Sequence, residues 1–171
     1  MNLGSLFKSV KGNHNKIFIG GISFDSRKVK KNDIFFAIKG NKISGERYMN
    51  HAIQKGASAV VSNKKINLEN VKVPLIIVKD VRKSLSEICS KFYKKKPKYI
   101  IAVTGTNGKS SVADFFYQIL TLIKIPVASI GTLGILSRKY KKKTNLTSID
   151  PISLHKNLRT LAKNKVSYVI L

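Results

Sequence analysis

The sequence has one cysteine, few acidic residues and no long apolar segment. The single cysteine, Cys89, excludes an intramolecular disulfide, and three scattered histidines add no spacing typical of a structural zinc site. No apolar stretch approaches the roughly 20 residues that cross a bilayer, and residues 1–10 lack the apolar segment of a signal peptide. These absences exclude a transmembrane protein and predict a cytoplasmic one without a membrane partner.

Acidic residues are scarce, because 8 Asp and Glu stand against 33 Lys and Arg, for a net charge of +25. Such a charge suggests a nucleic-acid binder, which stays open as an alternative. However, 28 of the 33 cations are lysines, spread along the chain with many asparagines and isoleucines, as A/T-rich coding DNA produces. No aromatic–basic motif of an RNA-binding module is visible. These two observations argue against nucleic acid as the main partner, and the charge is consistent with a basic protein for an anionic, phosphate-bearing substrate.

The first half of the chain reads as short strands alternating with helices, which indicates an α/β fold. With 43% hydrophobic residues in 171, the chain has enough apolar material for one sizeable core or two small ones. Cys89 falls on the apolar face of the last helix of this half and is expected to be a core residue. The predicted strands are Lys16–Gly20, Asp33–Ile38, Ala57–Val61 and Pro74–Val78, and the predicted helices are Glu46–Gly56 and Val81–Tyr93.

A charged, proline-containing segment, Lys94–Lys98, is the predicted linker, and it divides residues 1–96 from residues 97–171. The strand Tyr99–Thr104 that follows is continuously apolar, which is typical of a parallel sheet covered on both faces. Because a domain rarely ends inside a core strand, we expect the sequence to be a piece of a longer protein. The remaining predicted elements are a helix at Lys109–Lys124, a strand at Val127–Ile130 that completes a βαβ unit, a helix at Pro151–Asn164 capped by Asp150, and a strand at Ser167–Leu171.

The segment T-G-T-N-G-K-S-S, residues 104–111, lies between that strand and that helix. Glycines let backbone N–H groups converge on phosphates, and the start of a helix adds partial positive charge. Lys109 is the predicted catalytic cation for the β- and γ-phosphates, and the Ser110 hydroxyl is the predicted Mg²⁺ ligand. Val103 stands where the standard pattern has its first glycine. The predicted nucleotide-binding residues are Gly105, Thr106, Asn107, Gly108, Lys109, Ser110 and Ser111.

This octet resembles the ATP loop of the Mur ligase family, and the resemblance extends over residues 20–171. Residues 24–40, which contain D-S-R and then N-D-I-F-F-A-I-K-G, resemble the family's N-terminal nucleotide-sugar domain. Asn32 replaces the usual glycine of that turn and tolerates left-handed backbone geometry. Gly45–Tyr48 matches a helix start of the family. The resemblance implies a small mixed α/β nucleotide-sugar domain followed by the start of a P-loop central domain with a truncated parallel sheet.

The resemblance to the Mur ligase family implies an activity. Such an enzyme uses ATP and Mg²⁺ to activate the carboxylate of UDP-N-acetylmuramoyl-L-alanyl-D-glutamate as an acyl phosphate, which an incoming amine attacks during peptidoglycan synthesis. Gly131–Gly134 and Leu146–Ser148 favour the branch that adds a diamino acid as the third residue. Meso-diaminopimelate is the commoner choice among bacteria, and L-lysine stays open. The resemblance implies a monomeric full-length enzyme whose substrate-binding residues here are Phe24, Ser26, Asn41, Lys42, Ile43, Leu146, Thr147 and Ser148.

Several alternatives stay open. The family's Mg²⁺-binding glutamate, its carbamylated lysine and its C-terminal amino-acid-binding domain are not among the 171 residues, so this piece alone is not expected to ligate. The branch that acts at the next step and a stand-alone UDP-sugar or ATP-binding module are the competing functions. Ser26 also fits a plain turn hydroxyl. Arg27 fits either an ion pair with Asp25 or Asp33 or a contact to a phosphate. His155 is expected to be solvated, and Lys139–Lys143 is expected to be a solvated loop.

Overall fold

A computed structural model describes residues 1–40, 44–65, 73–143 and 149–171 of the chain. The chain forms two compact units, Met1–Phe92 and Tyr93–Leu171. Their division lies close to the boundary predicted after Lys96, and residues 94–97 have no regular secondary structure. Among the helices of the described ranges, none combines the length and the apolar content that crossing a bilayer requires.

The first unit is built on a parallel sheet in the strand order β1-β2-β3-β4. Ile34 pairs with Ile22 on one side and with Ala59 on the other, so β2 is a central strand. Single-turn 3-10 helices occupy Gly12–Lys16, Ser26–Lys28 and Gly45–Tyr48. The described elements are α1 (Leu3–Leu6), β1 (Gly21–Ser23), β2 (Asp33–Phe36), α2 (Met49–Gln54), β3 (Ala59–Ser62), β4 (Leu75–Ile77) and α3 (Val81–Phe92).

The core of this unit lies on both faces of its central strands. Phe35 and Val60 point to the face on which α2 packs with Met49 and Ala52. Since side chains alternate along a strand, Ile34, Phe36 and Val61 face the other side, and they are equally buried. Cys89 is fully buried on α3, as predicted. Burial on both faces is typical of a parallel sheet between helices.

The second unit contains a five-stranded sheet in the order β5-β9-β6-β7-β8. The last strand of the sequence therefore lies between β5 and β6, parallel to both. The predicted βαβ unit is confirmed, with β9 inserted between its two strands. The described elements are β5 (Tyr99–Ile101), α4 (Lys109–Leu122), β6 (Val127–Gly131), β7 (Gly134–Ser137), β8 (Lys141–Lys142), α5 (Pro151–Lys163) and β9 (Tyr168–Ile170).

Two predicted elements of the first half are displaced. The prediction of a strand at Lys16–Gly20 is wrong, because sheet pairing begins at Gly21, while Phe18 makes only an isolated bridge to Asn2. The predicted helix at Glu46–Gly56 opens with a 3-10 turn and becomes α-helical at Met49. In contrast, Asn32 has φ 68°, the left-handed geometry that asparagine tolerates in place of the family's usual glycine.

Two expectations for the second half are corrected by the structure. The strand β5 is parallel but only partly covered on each face, because the consecutive residues Tyr99 and Ile100, which point to opposite faces, are 41% and 40% exposed. The segment Lys139–Lys143 is not simply a loop, since Lys141 and Lys142 form the edge strand β8 beside β7. Lysine on an edge strand discourages pairing with other chains.

The helix α4 carries an apolar stripe that the described residues leave exposed. Its members within the helix recur every three to four residues, Ile123 follows at the helix end, and the most exposed, Leu122, shows 79% of its surface. The stripe consists of Val112, Phe115, Ile119, Leu122 and Ile123. Monomeric soluble proteins rarely expose large contiguous apolar patches.

Three helices end in the same way, but with different residues at the left-handed position. Gly56 has φ 99° after α2, whereas Lys124 (62°) and Lys165 (61°) follow α4 and α5. In each case the next residue donates its N–H to the carbonyl five positions earlier, as in a Schellman motif. These bonds join Ala57 N to Ala52 O (3.0 Å), Ile125 N to Leu120 O (2.9 Å) and Val166 N to Leu161 O (3.0 Å).

We expect Lys124→Gly and Lys165→Gly to stabilise the chain by about 0.5–1 kcal/mol each, because glycine removes the steric cost of left-handed geometry. Chemical denaturation measures the free energy of unfolding. Lys156→Gly is the matched control, since this exposed lysine lies inside α5 and its replacement costs about 0.5–1 kcal/mol. Equal destabilisation by Lys165→Gly and Lys156→Gly would contradict this interpretation of the helix end.

Candidate functional site

The first candidate site is the glycine-rich loop between β5 and α4. Gly105 (φ 150°) and Gly108 (φ 77°) both have backbone angles that favour glycine. A Cβ at Gly108 would meet no atom within 4 Å, so the space beside the loop is open and only the backbone angle demands glycine. The loop therefore exposes its backbone directly before the first turn of α4, where helix N–H groups lack helical partners.

Lys109 is the first residue of α4, and its side chain folds back over the loop. Its ammonium group donates a hydrogen bond to the Thr106 carbonyl (3.1 Å) and another to the Gly105 carbonyl. The group is exposed, so an anion that reaches the loop meets a cation already held beside the backbone donors. Backbone N–H groups, a helix start and this cation form an arrangement suited to a phosphate chain.

A cavity of about 280 Å³ adjoins the loop. Lys109, Ser110 and Thr132 are its polar side chains, and most of the remaining lining is apolar. The cavity lies at the carboxyl ends of β6 and β9 and is lined by Val103, Lys109, Ser110, Ala113, Ile130, Gly131, Thr132, Ile149, Leu154 and Leu171. Sequence reasoning did not assign Thr132 to the site, although its position directly after a parallel strand was a usable signal.

Ser110 and Ser111 fall in the first turn of α4, as the sequence predicts. Ser110 faces the cavity. Within the described ranges, no group of three or more histidine, cysteine, aspartate or glutamate side chains could hold a metal ion. The Ser110 hydroxyl is an oxygen ligand of the kind that Mg²⁺ accepts alongside phosphate oxygens and water.

The second candidate site follows β1 in the first unit. Phe24 is 40% exposed, whereas Ser26 is buried, with its hydroxyl 3.0 Å from His51 Nδ1. Arg27 makes a two-bond pair with Asp25, from Nε to Oδ1 (3.0 Å) and from Nη2 to Oδ2 (2.9 Å). These hydrogen bonds lower the pKa of the Asp25 carboxyl. Arg27 is thus an ion-pair partner, one of the two roles that the sequence left open.

The other predicted substrate residues lie outside the described residues, namely Asn41, Lys42, Ile43, Leu146, Thr147 and Ser148. The residues on either side of positions 41–43 are among those that the structure describes. Lys39 and Ser44 form an antiparallel bridge, and Gly45 N donates to Ile38 O at 3.0 Å. A Cβ at Gly45 would lie 2.6 Å from Ile38 O, so this close backbone approach requires glycine.

His155 departs from the expectation of a solvated side chain. It is half-buried near the start of α5, and burial, followed by the charge of Lys96, lowers its pKa below the usual 6.5. The helix itself begins as predicted, because the Asp150 side chain accepts from Ser153 N at 2.9 Å.

Comparison with known proteins agrees with this architecture. The family model described as "Mur ligase family, catalytic domain" matches residues 18–93, and "Mur ligase middle domain" matches residues 103–171. The chain belongs to the Mur ligase family. The glycine-rich loop therefore lies at the start of the matched Mur ligase middle domain, and the turn after β1 lies in the matched domain before it.

Curated relatives of this Mur ligase chain include UDP-N-acetylmuramoyl-L-alanyl-D-glutamate–2,6-diaminopimelate ligases. That of Rhizobium meliloti (strain 1021) is 40% identical over 167 residues, which is 98% of this chain and 34% of the relative. That of Rickettsia conorii is 41% identical over 173 aligned residues, 99% of this chain and 34% of the relative. The chain thus spans about a third of the length of the curated relatives it matches.

Solved structures show the same fold. A 2,6-diaminopimelate-adding ligase of that name superposes with a TM-score of 0.83 and 24% identity, over 99% of this chain and 35% of its own. MurF ligase from Thermotoga maritima, solved in complex with ADP, gives a TM-score of 0.57 and 20% identity, over 91% of this chain and 31% of its own.

We expect Gly45→Ala to destabilise the first unit by about 1–3 kcal/mol, because its Cβ would overlap the Ile38 backbone. The free energy of unfolding measures this. Gly20→Ala is the matched control, since its Cβ would make only ordinary contacts, at 3.5 Å or more. The explanation fails if the two variants are equally stable.

The lowered pKa of His155 predicts a pH dependence of stability. Between its folded and unfolded pKa values the unfolded chain binds more protons, so the free energy of unfolding falls as pH drops below about 6.5. Denaturation at pH 7.5 and at lower pH, with NMR titration of the His155 ring, measures both quantities. His155→Gln is expected to make the free energy of unfolding fall less as the pH drops. The same dependence on pH in this variant would contradict the role of His155.

Proposed function

We propose that the chain is the nucleotide-sugar-binding and ATP-loop portion of a ligase that joins 2,6-diaminopimelate to UDP-N-acetylmuramoyl-L-alanyl-D-glutamate. The observation that carries the proposal is the open phosphate loop before α4 in a chain about 40% identical, over nearly its whole length, to ligases of that name. The cytoplasm is the compartment in which such a reaction has its ATP and its UDP-linked substrate.

The residues of the loop fit an ATP phosphate chain. Bound ATP supplies the phosphoryl group that activates the substrate carboxylate. The backbone of Gly105–Gly108 and the first turn of α4 hold the phosphates, and the Lys109 ammonium, already beside the loop, balances their charge. Ser110 would hold Mg²⁺ with phosphate oxygens and water.

The cavity beside the loop is the proposed position of the carboxylate that is activated. Lys109 and Ser110 lie at one wall, and Thr132 supplies a hydroxyl that can orient the carboxylate. The apolar residues of the lining, such as Ile130 and Leu154, limit the access of water. An acyl phosphate hydrolyses readily in water, so a largely apolar lining favours amine attack over hydrolysis.

The turn after β1 and the segment after β2 are the proposed uridine site. The exposed Phe24 ring offers a face on which a base can stack, and such stacking contributes about 1–3 kcal/mol. Ser26 and Asn41–Ile43 would complete this site, and Leu146–Ser148 would contact the muramoyl-peptide end. A full-length ligase of this kind would act as a monomer.

Two observations favour the diaminopimelate-adding reaction over that of the MurF ligases. The relatives that share about 40% identity carry the diaminopimelate name. In addition, the fold agrees better with the solved diaminopimelate ligase than with MurF, with TM-scores of 0.83 and 0.57. The names of these relatives also favour diaminopimelate over L-lysine as the added residue.

Replacing Lys109 separates the two proposed sites. We expect Lys109→Ala to weaken ATP–Mg²⁺ binding to the chain at least about tenfold, the loss of a charge-assisted contact, while UDP-N-acetylmuramoyl-L-alanyl-D-glutamate binds as before. Calorimetric titration of each ligand measures both affinities.

The matched control for this test is Lys163→Ala, which removes an exposed lysine from α5 of the same unit. Equal ATP affinities in the two variants would overturn the role of Lys109. Failure of the unmodified chain to bind either ligand would overturn the proposed function.

A further inference from the structure

Two side chains, one in α2 and one directly after its last residue, reach the turn that follows β1. His51 and Lys55 are four residues apart and so lie on one side of the helix and its end. His51 Nδ1 lies 3.0 Å from the buried Ser26 hydroxyl, and Lys55 Nζ donates to the Arg27 carbonyl at 3.0 Å. The helix is thus attached to the turn by one bond to a side chain and one bond to the backbone.

The contact with His51 restricts the rotation and the hydrogen bonding of the Ser26 hydroxyl. A serine hydroxyl has one proton and two lone pairs, and it rotates to suit its partners. One of these capacities is used by the imidazole, and Ser26 is only 6% exposed, so the rotation of the hydroxyl is restricted. What remains of its hydrogen-bonding capacity is presented in a fixed direction.

We propose that His51 is a positioning residue for nucleotide binding, which fixes the Ser26 hydroxyl in the orientation that the uridine part of the substrate requires. The inference rests on the proposed function, because the ligand is the nucleotide of the UDP-linked substrate. It adds to the site a residue that lies outside the turn and 25 positions away along the chain.

The turn does not need His51 to keep its backbone shape. Ser23 Oγ donates to the Asp25 carbonyl at 2.9 Å, and the Asp25 carboxylate accepts from Arg27 N at 3.0 Å. Lys55 adds its bond to the Arg27 carbonyl. Since three other bonds hold this backbone, loss of the imidazole releases the Ser26 hydroxyl more than it disturbs the turn.

The test is a double-mutant cycle on the whole chain, with UDP as the probe. Ser26→Ala and His51→Leu are each expected to weaken UDP binding about fivefold, the size of one neutral hydrogen bond. The double variant is expected to bind no more weakly than either single one, because both remove the same interaction. Calorimetry measures the affinities, and thermal unfolding confirms that each variant is folded.

His51→Asn is the conservative variant that tests positioning. Its amide group lies the same number of bonds from the backbone as Nδ1, so it can still bond to Ser26, and binding close to that of the unmodified chain is expected. A merely structural role of the imidazole ring would not be restored in this way. ATP binding, which depends on Lys109 in the other unit, is the control and is expected to stay unchanged in every variant.

Three results would overturn the inference and leave the proposed function in place. They are unchanged UDP binding by His51→Leu, additive losses in the double variant, and weak binding by His51→Asn, which would mean that the ligand touches the imidazole itself. Absence of UDP binding by the unmodified chain would instead overturn the proposed nucleotide site together with the inference.

Discussion

Parallel strand pairing is the constraint on which both candidate sites depend. In a parallel sheet every strand ends at the same edge, so the residues that follow different strands are brought together there. In the first unit this edge carries the Phe24–Ser26 turn after β1 and the Ile38–Gly45 contact after β2. In the second it carries the glycine-rich loop, Thr132 and Leu171. Each unit thus builds a site from segments that lie far apart in sequence.

Local features were predictable because short-range physics determines them. The glycine spacing before Lys109 predicts the loop, Asp150 before a proline predicts the start of α5, and Asn32 predicts a left-handed turn. Each depends on a few adjacent backbone angles. The spacing of apolar residues also located most helices and strands, although the strand predicted at Lys16–Gly20 was misplaced because its apolar residues bridge to the N-terminal segment instead.

Long-range pairing could not be predicted in the same way. Nothing local indicates that β9 enters between β5 and β6, or that Lys141 pairs with Leu136 at a sheet edge. The hydrogen bond between Ser26 and His51 joins positions 25 residues apart, and neither residue type predicts contact with the other. Such contacts arise from the way α2 packs on its sheet, a tertiary effect that a pattern of residue types does not contain.

The lysines that follow α4 and α5 show how the composition of a chain can act on its backbone. Lysine and asparagine are abundant where coding DNA is rich in A and T, and both occur at left-handed positions of this chain. Lys124, Lys165 and Asn32 all hold the positive φ that glycine adopts most easily. The nucleotide composition of a genome can therefore appear in its proteins as local backbone strain, at positions where the fold itself still requires the geometry of glycine.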